Sequence, residues 1–164
     1  MKIAIGADHG GYKLKRSIAR FLKDKGYYVK DFGTYSKTRC DYPPIGYRVA
    51  SQVAKGVFER GILICKSGLG MSIVSNKIRG VRAALISDAR SARSSREHNN
   101  ANIAVFSGDV MSPQKACTML TIWLNTDFLG GRHARRIRQI SGIEKKIARK
   151  RWSLRRENAN VQKT

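Results

Sequence analysis

The chain has 164 residues, 41% of them apolar, which is one domain's worth of sequence with enough apolar side chains for a single sizeable core. No run approaches the roughly 18 consecutive apolar residues of a membrane-spanning helix, and Met1-Lys2-Ile3-Ala4-Ile5 is too short for the apolar region of a signal peptide, so a cytoplasmic chain without membrane contact is expected. Three widely spaced cysteines, Cys40, Cys65 and Cys117, point away from a disulfide framework or a zinc site, while a formal charge of +22 attracts anions such as nucleic acid, anionic lipid or acidic metabolites.

Residues 2–6 read as a short strand that runs into Ala7-Asp8-His9-Gly10-Gly11. Helical spacing follows over 12–25, with Leu14, Ile18, Phe21 and Leu22 on one face and Gly26 in the place of a C-terminal cap. Residues 27–32 form a second strand, 33–41 a polar loop, and Pro43-Pro44 mark the start of a helix over 45–56. The third strand is the apolar run Ile62-Leu63-Ile64, which ends in Cys65-Lys66-Ser67-Gly68-Leu69-Gly70, and residues 71–77 continue as a helix. A fourth strand spans 80–86. Asp88 then caps a helix through His98, with Arg90, Arg93 and Arg96 at spacings of three. The fifth strand spans 101–106 and Ser112-Pro113 opens a helix to Asn125. A basic helix runs from Gly131 onward, with a break expected near Ser141-Gly142. From Arg132 to Thr164 there are twelve Lys and Arg against Glu144 and Glu157.

Five short strands alternating with longer helices predict an α/β chain, a three-layer α/β/α Rossmann-like fold with a five-stranded parallel sheet. Such sheets bind ligands at the carboxyl ends of their strands. That rule gathers Asp8 and His9, Cys65 to Gly70, Asp88 and the His98-Asn99 region on one rim. Strand, glycine-rich turn and helix also point bare backbone N–H groups at an anion. A cysteine beside those amides sits in a positive field that favours the thiolate. Residues 61–73 thus read as an anion cradle with a base or nucleophile at its lip, or equally as a turn beside a buried core cysteine. Taken singly, Asp8 and His9 read as a turn cap and a hydrogen-bonded histidine, and His98 as a surface residue. Arg132 and Arg136 alone read as a solvated basic face.

Over residues 1–140 the chain resembles the type B ribose-5-phosphate isomerases, a group that includes the galactose-6-phosphate isomerase subunits. The blocks that carry the resemblance are Ile5-Gly-Ala-Asp-His-Gly-Gly-Tyr12, Asp31-Phe-Gly-Thr34, Asp41-Tyr-Pro43 and Gly61-Ile-Leu-Ile-Cys-Lys-Ser-Gly-Leu-Gly-Met-Ser-Ile73. They continue with Ser95-Arg-Glu-His-Asn99, Ala101-Asn102, Trp123-Leu-Asn-Thr126 and Gly130-Gly-Arg-His-Ala-Arg-Arg136.

The resemblance implies an isomerase domain over 1–144, a basic extension over 145–164, and a cofactor-free, metal-free aldose–ketose isomerase that interconverts ribose 5-phosphate and ribulose 5-phosphate through a cis-enediolate. It assigns Cys65 as the base that takes the C2 proton and Ser67 as the hydroxyl that helps move a proton between O1 and O2. The amides of Lys66, Ser67, Gly68, Leu69 and Gly70 hold the enediolate, and His98 opens the sugar ring. Asp8 and Asn99 bind sugar oxygens, and His9 lies on the phosphate side. Arg132 and Arg136, one helical turn apart, clamp the phosphate, while His133 is read as structural. Homodimers or dimers of dimers are implied, with His98 and Asn99 entering the site from the neighbouring subunit. Ser67 replaces the pattern's threonine and keeps its hydroxyl. Lys66 replaces a glycine, where a positive φ would strain a lysine. Asp109 replaces an arginine that reaches the phosphate, which leaves Arg132, Arg136, His9, Arg90 or Arg93 for that task. A six-carbon substrate such as allose or galactose 6-phosphate is the alternative within the class. Nucleic acid held by the basic tail is the alternative outside it, and is not favoured.

Overall fold

The computed structural model describes the backbone of residues 1–161 and side-chain surroundings through residue 150. The chain divides into two units, Met1–Phe128 and Leu129–Thr164. In the first, strands β1 (Lys2–Ala7), β2 (Tyr28–Asp31), β3 (Arg60–Cys65), β4 (Ala83–Leu85) and β5 (Ile103–Ser107) form one parallel sheet in the order β2-β1-β3-β5-β4. The connecting helices are α1 (Tyr12–Asp24), α2 (Tyr42–Ala54), α3 (Leu69–Ser75), α4 (Ala89–Glu97) and α5 (Pro113–Leu124). Helices α1, α4 and α5 cover one face of the sheet and α2 and α3 the other, giving the three layers expected.

Strand side chains alternate between faces, so each strand feeds two cores. Ile3, Ile5, Ile62, Ile64 and Phe106 meet Leu14, Ile18, Leu22 and Trp123 on one side. Ala4, Leu63, Cys65, Ile103 and Val105 point the other way, against Ile45, Val49 and Met71. Burial on both faces explains why β1, β3 and β5 read as nearly continuous apolar runs. The same parity puts the Cys65 side chain under the α2–α3 layer.

Several boundaries differ from expectation for local reasons. Helix α2 begins at Tyr42, because the two prolines sit inside its first turn, with Asp41 as N-cap. Strand β4 is three residues long. Side chains take the amides at its opening: Arg82 N, just ahead of it, donates to Asn102 Oδ1 at 2.8 Å and Ala83 N, its first, to Asn76 Oδ1 at 2.9 Å. Gly26, at φ 80°, ends α1 as expected.

Among the described residues the second unit contains one helix, α6 (Gly131–Val161), which runs unbroken through Ser141 and Gly142. An interior glycine costs a helix only about 1 kcal/mol relative to alanine, too little to stop this one. Residues 145–161 are therefore helical, while residues 162–164 lie outside the described part. Among the described residues no helix is long and apolar enough to cross a membrane.

One buried charge pair ties the first helix to the loop beside the site. Lys15, 1% exposed, donates to Asp31 Oδ1 at 2.8 Å and Oδ2 at 2.7 Å, and also to the Thr34 carbonyl. Removing the acid leaves the ammonium buried without its counter-charge. Asp31→Ala is expected to lower the unfolding free energy in urea by about 2–3 kcal/mol, a value below the fully buried range because Asp31 is partly exposed.

Candidate active site

The chain leaves β1 towards β2 on one side and returns to lay β3 on the other, so the strand order reverses between β1 and β3, and open parallel sheets bind ligands at the carboxyl ends beside such a reversal. Three strand ends meet there through backbone. Asp8 N donates to Ile64 O at 3.2 Å, Gly108 N to Cys65 O at 2.8 Å, and Asp109 N to Lys66 O at 3.1 Å. The approach admits no Cβ at two glycines: one on Gly11 would lie 2.7 Å from Ile64 O, and one on Gly108 2.6 Å from Gly10 O.

Asp8 is buried, and its Oδ1 accepts from Gly11 N at 3.0 Å. It thus is the turn cap of the plainer reading, while its second oxygen carries no bond among the described residues. His9 Nδ1 lies 3.1 Å from Cys40 O and 3.2 Å from Cys40 N, so the 33–41 loop holds the ring in either tautomer.

Cys65 is 4% exposed and its Sγ accepts from Gly68 N at 3.2 Å. The sulfur is therefore buried and paired with the Gly68 amide in the turn after it. Gly68 takes φ 80°, and a Cβ there would collide with Leu85 Cδ1. Lys66 is not in the left-handed region, because Asn100 is the one non-glycine residue described with positive φ. The strain expected at Lys66 falls instead on Gly68, where glycine absorbs it, and the lysine side chain is exposed. Ser67 is exposed at the lip, its Oγ accepting from Leu69 N at 3.3 Å. Leu69 is exposed, and Gly70 packs where a Cβ would lie 2.5 Å from the Tyr42 ring. Ser67 also lines a cavity of about 490 Å³ together with Ser87, Ser107, Asp109 and Lys115. Gly68→Ala combines a forced positive φ with an overlap. It is expected to cost about 1–3 kcal/mol of stability and to lower turnover more than substrate affinity, measured by thermal melts beside steady-state kinetics.

Two predicted members are elsewhere. Asp88 does lie at the carboxyl edge, where it caps α4: Ser91 N donates to its Oδ1 at 2.7 Å and its own N donates to Ser91 Oγ at 3.1 Å. The backbone and hydroxyl bonds of Ser91 hold the Asp88 carboxyl below the usual range. Helix α4 then carries the chain across the sheet, so His98 and Asn99 emerge at the amino edge, not on the rim of Cys65. There Arg82 Nε donates to Asn99 O at 3.0 Å, and Gly61 N, in the opening of β3, donates to Asn102 O at 2.9 Å. A parallel strand must start at the edge opposite to where its predecessor ended, and that requirement overrides the one-rim expectation. His98 is exposed, 4.0 Å from Glu97. In the second unit, Arg132 and Arg136 are exposed and one turn apart at the start of α6.

Sequence reasoning passed over Ser107 and Gly108. Ser107 Oγ donates to Lys66 O at 2.7 Å and so pins the cradle. The signal was available: a serine and a glycine directly after an apolar strand, the same placement that singled out Cys65.

Residues 3–140 match the ribose/galactose isomerase family. The ribose-5-phosphate isomerase B of Escherichia coli K12 is 42% identical over 88% of this chain and 97% of its own length. The structure of the Clostridium thermocellum ribose-5-phosphate isomerase B superposes with a TM-score of 0.88 at 51% identity, over 90% of this chain and 99% of that one. The Mycoplasma genitalium ribose-5-phosphate isomerase B, solved with bound ribulose-5-phosphate, superposes with a TM-score of 0.85 at 38% identity, over 88% of this chain and 96% of that one. With the match covering most of its length, and with its three-layer fold in common, the chain belongs to the ribose/galactose isomerase family.

Proposed function

We propose that this sugar-phosphate isomerase interconverts ribose 5-phosphate and ribulose 5-phosphate, with Cys65 as the base. The observation that carries the reading is the Cys65 Sγ at the carboxyl end of β3, 3.2 Å from the Gly68 amide and followed by a turn whose Lys66, Ser67 and Leu69 are exposed. An aldose needs its ring opened, its C2 proton removed and the resulting charge held. In the proposed reaction His98 exchanges the proton that opens the ring. The Cys65 thiolate takes the proton from C2, and the C–H electron pair forms the C1=C2 bond of a cis-enediolate. Amides between Lys66 and Gly70 hold its oxygens without reorganising, which is where such sites gain most. Ser67 passes the hydroxyl proton from O2 to O1, and the thiol, its proton having exchanged with solvent while the enediolate is held, protonates C1, leaving the ketone at C2. No metal or organic cofactor takes part.

Asp8 and Asn99 bind sugar hydroxyls in this reading, and His9, Arg132 and Arg136 hold the phosphate. Since α4 delivers His98 to the edge opposite Cys65, a complete site needs a second copy of the chain: a homodimer, or a dimer of dimers, whose partner supplies His98 and Asn99. The test is a coupled assay with ribose 5-phosphate, allose 6-phosphate and galactose 6-phosphate. Turnover of the five-carbon sugar at least about tenfold more efficient than the others, a difference of about 1.4 kcal/mol, is expected. Preference for a six-carbon sugar overturns the substrate assignment.

A further inference from the structure

The turn that presents His98 and Asn99 is held by two arginines that the reaction itself does not call for. Arg82, ahead of β4, donates through Nε to Asn99 O and to Asn100 O, both at 3.0 Å. Arg96, 5% exposed in α4, donates through Nη1 to Asn100 Oδ1 and to Ala101 O, both at 2.7 Å, and through Nε to Thr126 O at 3.3 Å. Between them Asn100 takes φ 44°, the conformation a glycine usually supplies after a helix. Asn102 closes the ring of contacts, accepting from Arg82 N at 2.8 Å and donating to Gly80 O at 2.9 Å. The arrangement brings like charges together. The Arg96 pKa is pushed down to about 10, first by burial and then by Arg60 and Arg82, with Asp127 opposing. Apolar packing cannot orient His98 and Asn99, because both are exposed. A fork on consecutive carbonyls can, and reacting groups must be held to within about 0.5 Å to be productive.

We propose that Arg82 is a positioning residue for the ring-opening step: its fork on the Asn99 and Asn100 carbonyls sets the direction in which His98 and Asn99 enter the partner's site. This rests on the reading of His98 as the ring-opening group. Ribulose 5-phosphate has its O5 blocked by phosphate and so stays open-chain, whereas ribose 5-phosphate closes through O4. A defect confined to ring opening therefore slows consumption of ribose 5-phosphate but spares solvent-deuterium exchange at C1 of saturating ribulose 5-phosphate, where excess ligand offsets a weakened Asn99 contact and the chemistry needs only the base and the cradle.

The experiment measures both rates in D2O for the wild type, Arg82→Ala, Arg82→Lys and His98→Ala. For Arg82→Ala, ribose 5-phosphate consumption is expected to fall about tenfold or more, with exchange changed no more than about twofold to threefold, and Arg82→Lys is expected to fall between it and wild type. The ratio of the two rates does not depend on how much protein is folded, and Arg82→Lys carries the test if the alanine variant does not accumulate. If His98→Ala raises the ratio while both Arg82 variants leave it unchanged, the positioning role is overturned and the reading of His98 stands. If His98→Ala itself leaves the ratio unchanged, that reading fails and the proposal with it.

Discussion

Cys65→Ala is expected to lower turnover of ribose 5-phosphate by about a thousandfold, in the range that a positioned acid–base group contributes, while leaving sugar-phosphate binding nearly intact. The reason is the division of labour at the end of β3. The sulfur is the group offered for the C2 proton, whereas the amides that hold the substrate belong to the backbone of the turn, fixed by Gly68 and by the Ser107 and Asp109 bonds to Lys66. Cys65→Ser sharpens the test. It keeps the shape of the side chain beside the Gly68 amide, but its hydroxyl is a far weaker acid than a thiol and supplies no base near neutral pH. Both variants are expected to bind ribose 5-phosphate in calorimetry within about threefold of wild type. Substantial turnover by the alanine variant would remove Cys65 from the mechanism.

Mixing two inactive variants is expected to restore activity. In one chain Cys65 ends β3 at the carboxyl edge while His98 ends α4 at the amino edge, so a shared site draws them from different copies. In a dimer of Cys65→Ala with His98→Ala, one of the two sites then has both residues intact and the other has neither. Co-refolding equal amounts gives hybrids in about half of the dimers, so about a quarter of the wild-type sites should return, read directly from the coupled assay. Activity no greater than the sum of the two separate variants would place both residues in one subunit's site or dispense with one of them.

How much of this is legible in the sequence depends on which interaction decides each feature. The sheet is legible because strands buried on both faces leave unbroken apolar runs such as Ile62 to Ile64. The cradle is legible because thiol, hydroxyl and glycines follow such a run directly. The location of His98 is not, since the rule about strand ends says nothing of where a helix ends; that needs α4 to be followed across the sheet. Nor does a glycine-rich turn declare which residue takes positive φ. Lys66 looked like the strained position, and Gly68 occupies it. The short β4 was hidden because its flanking amides are taken by Asn76 and Asn102, side chains distant in sequence or outside any strand pattern. The break expected in α6 overvalued one glycine against the helix around it.

The most direct test is proton NMR of ribose 5-phosphate turned over by the protein in D2O. Proton transfer through an enediolate predicts ribulose 5-phosphate carrying solvent deuterium at C1, and predicts that this label disappears with Cys65→Ala. Product formed at the wild-type rate with only protium at C1, or undiminished labelling by Cys65→Ala, would contradict the account.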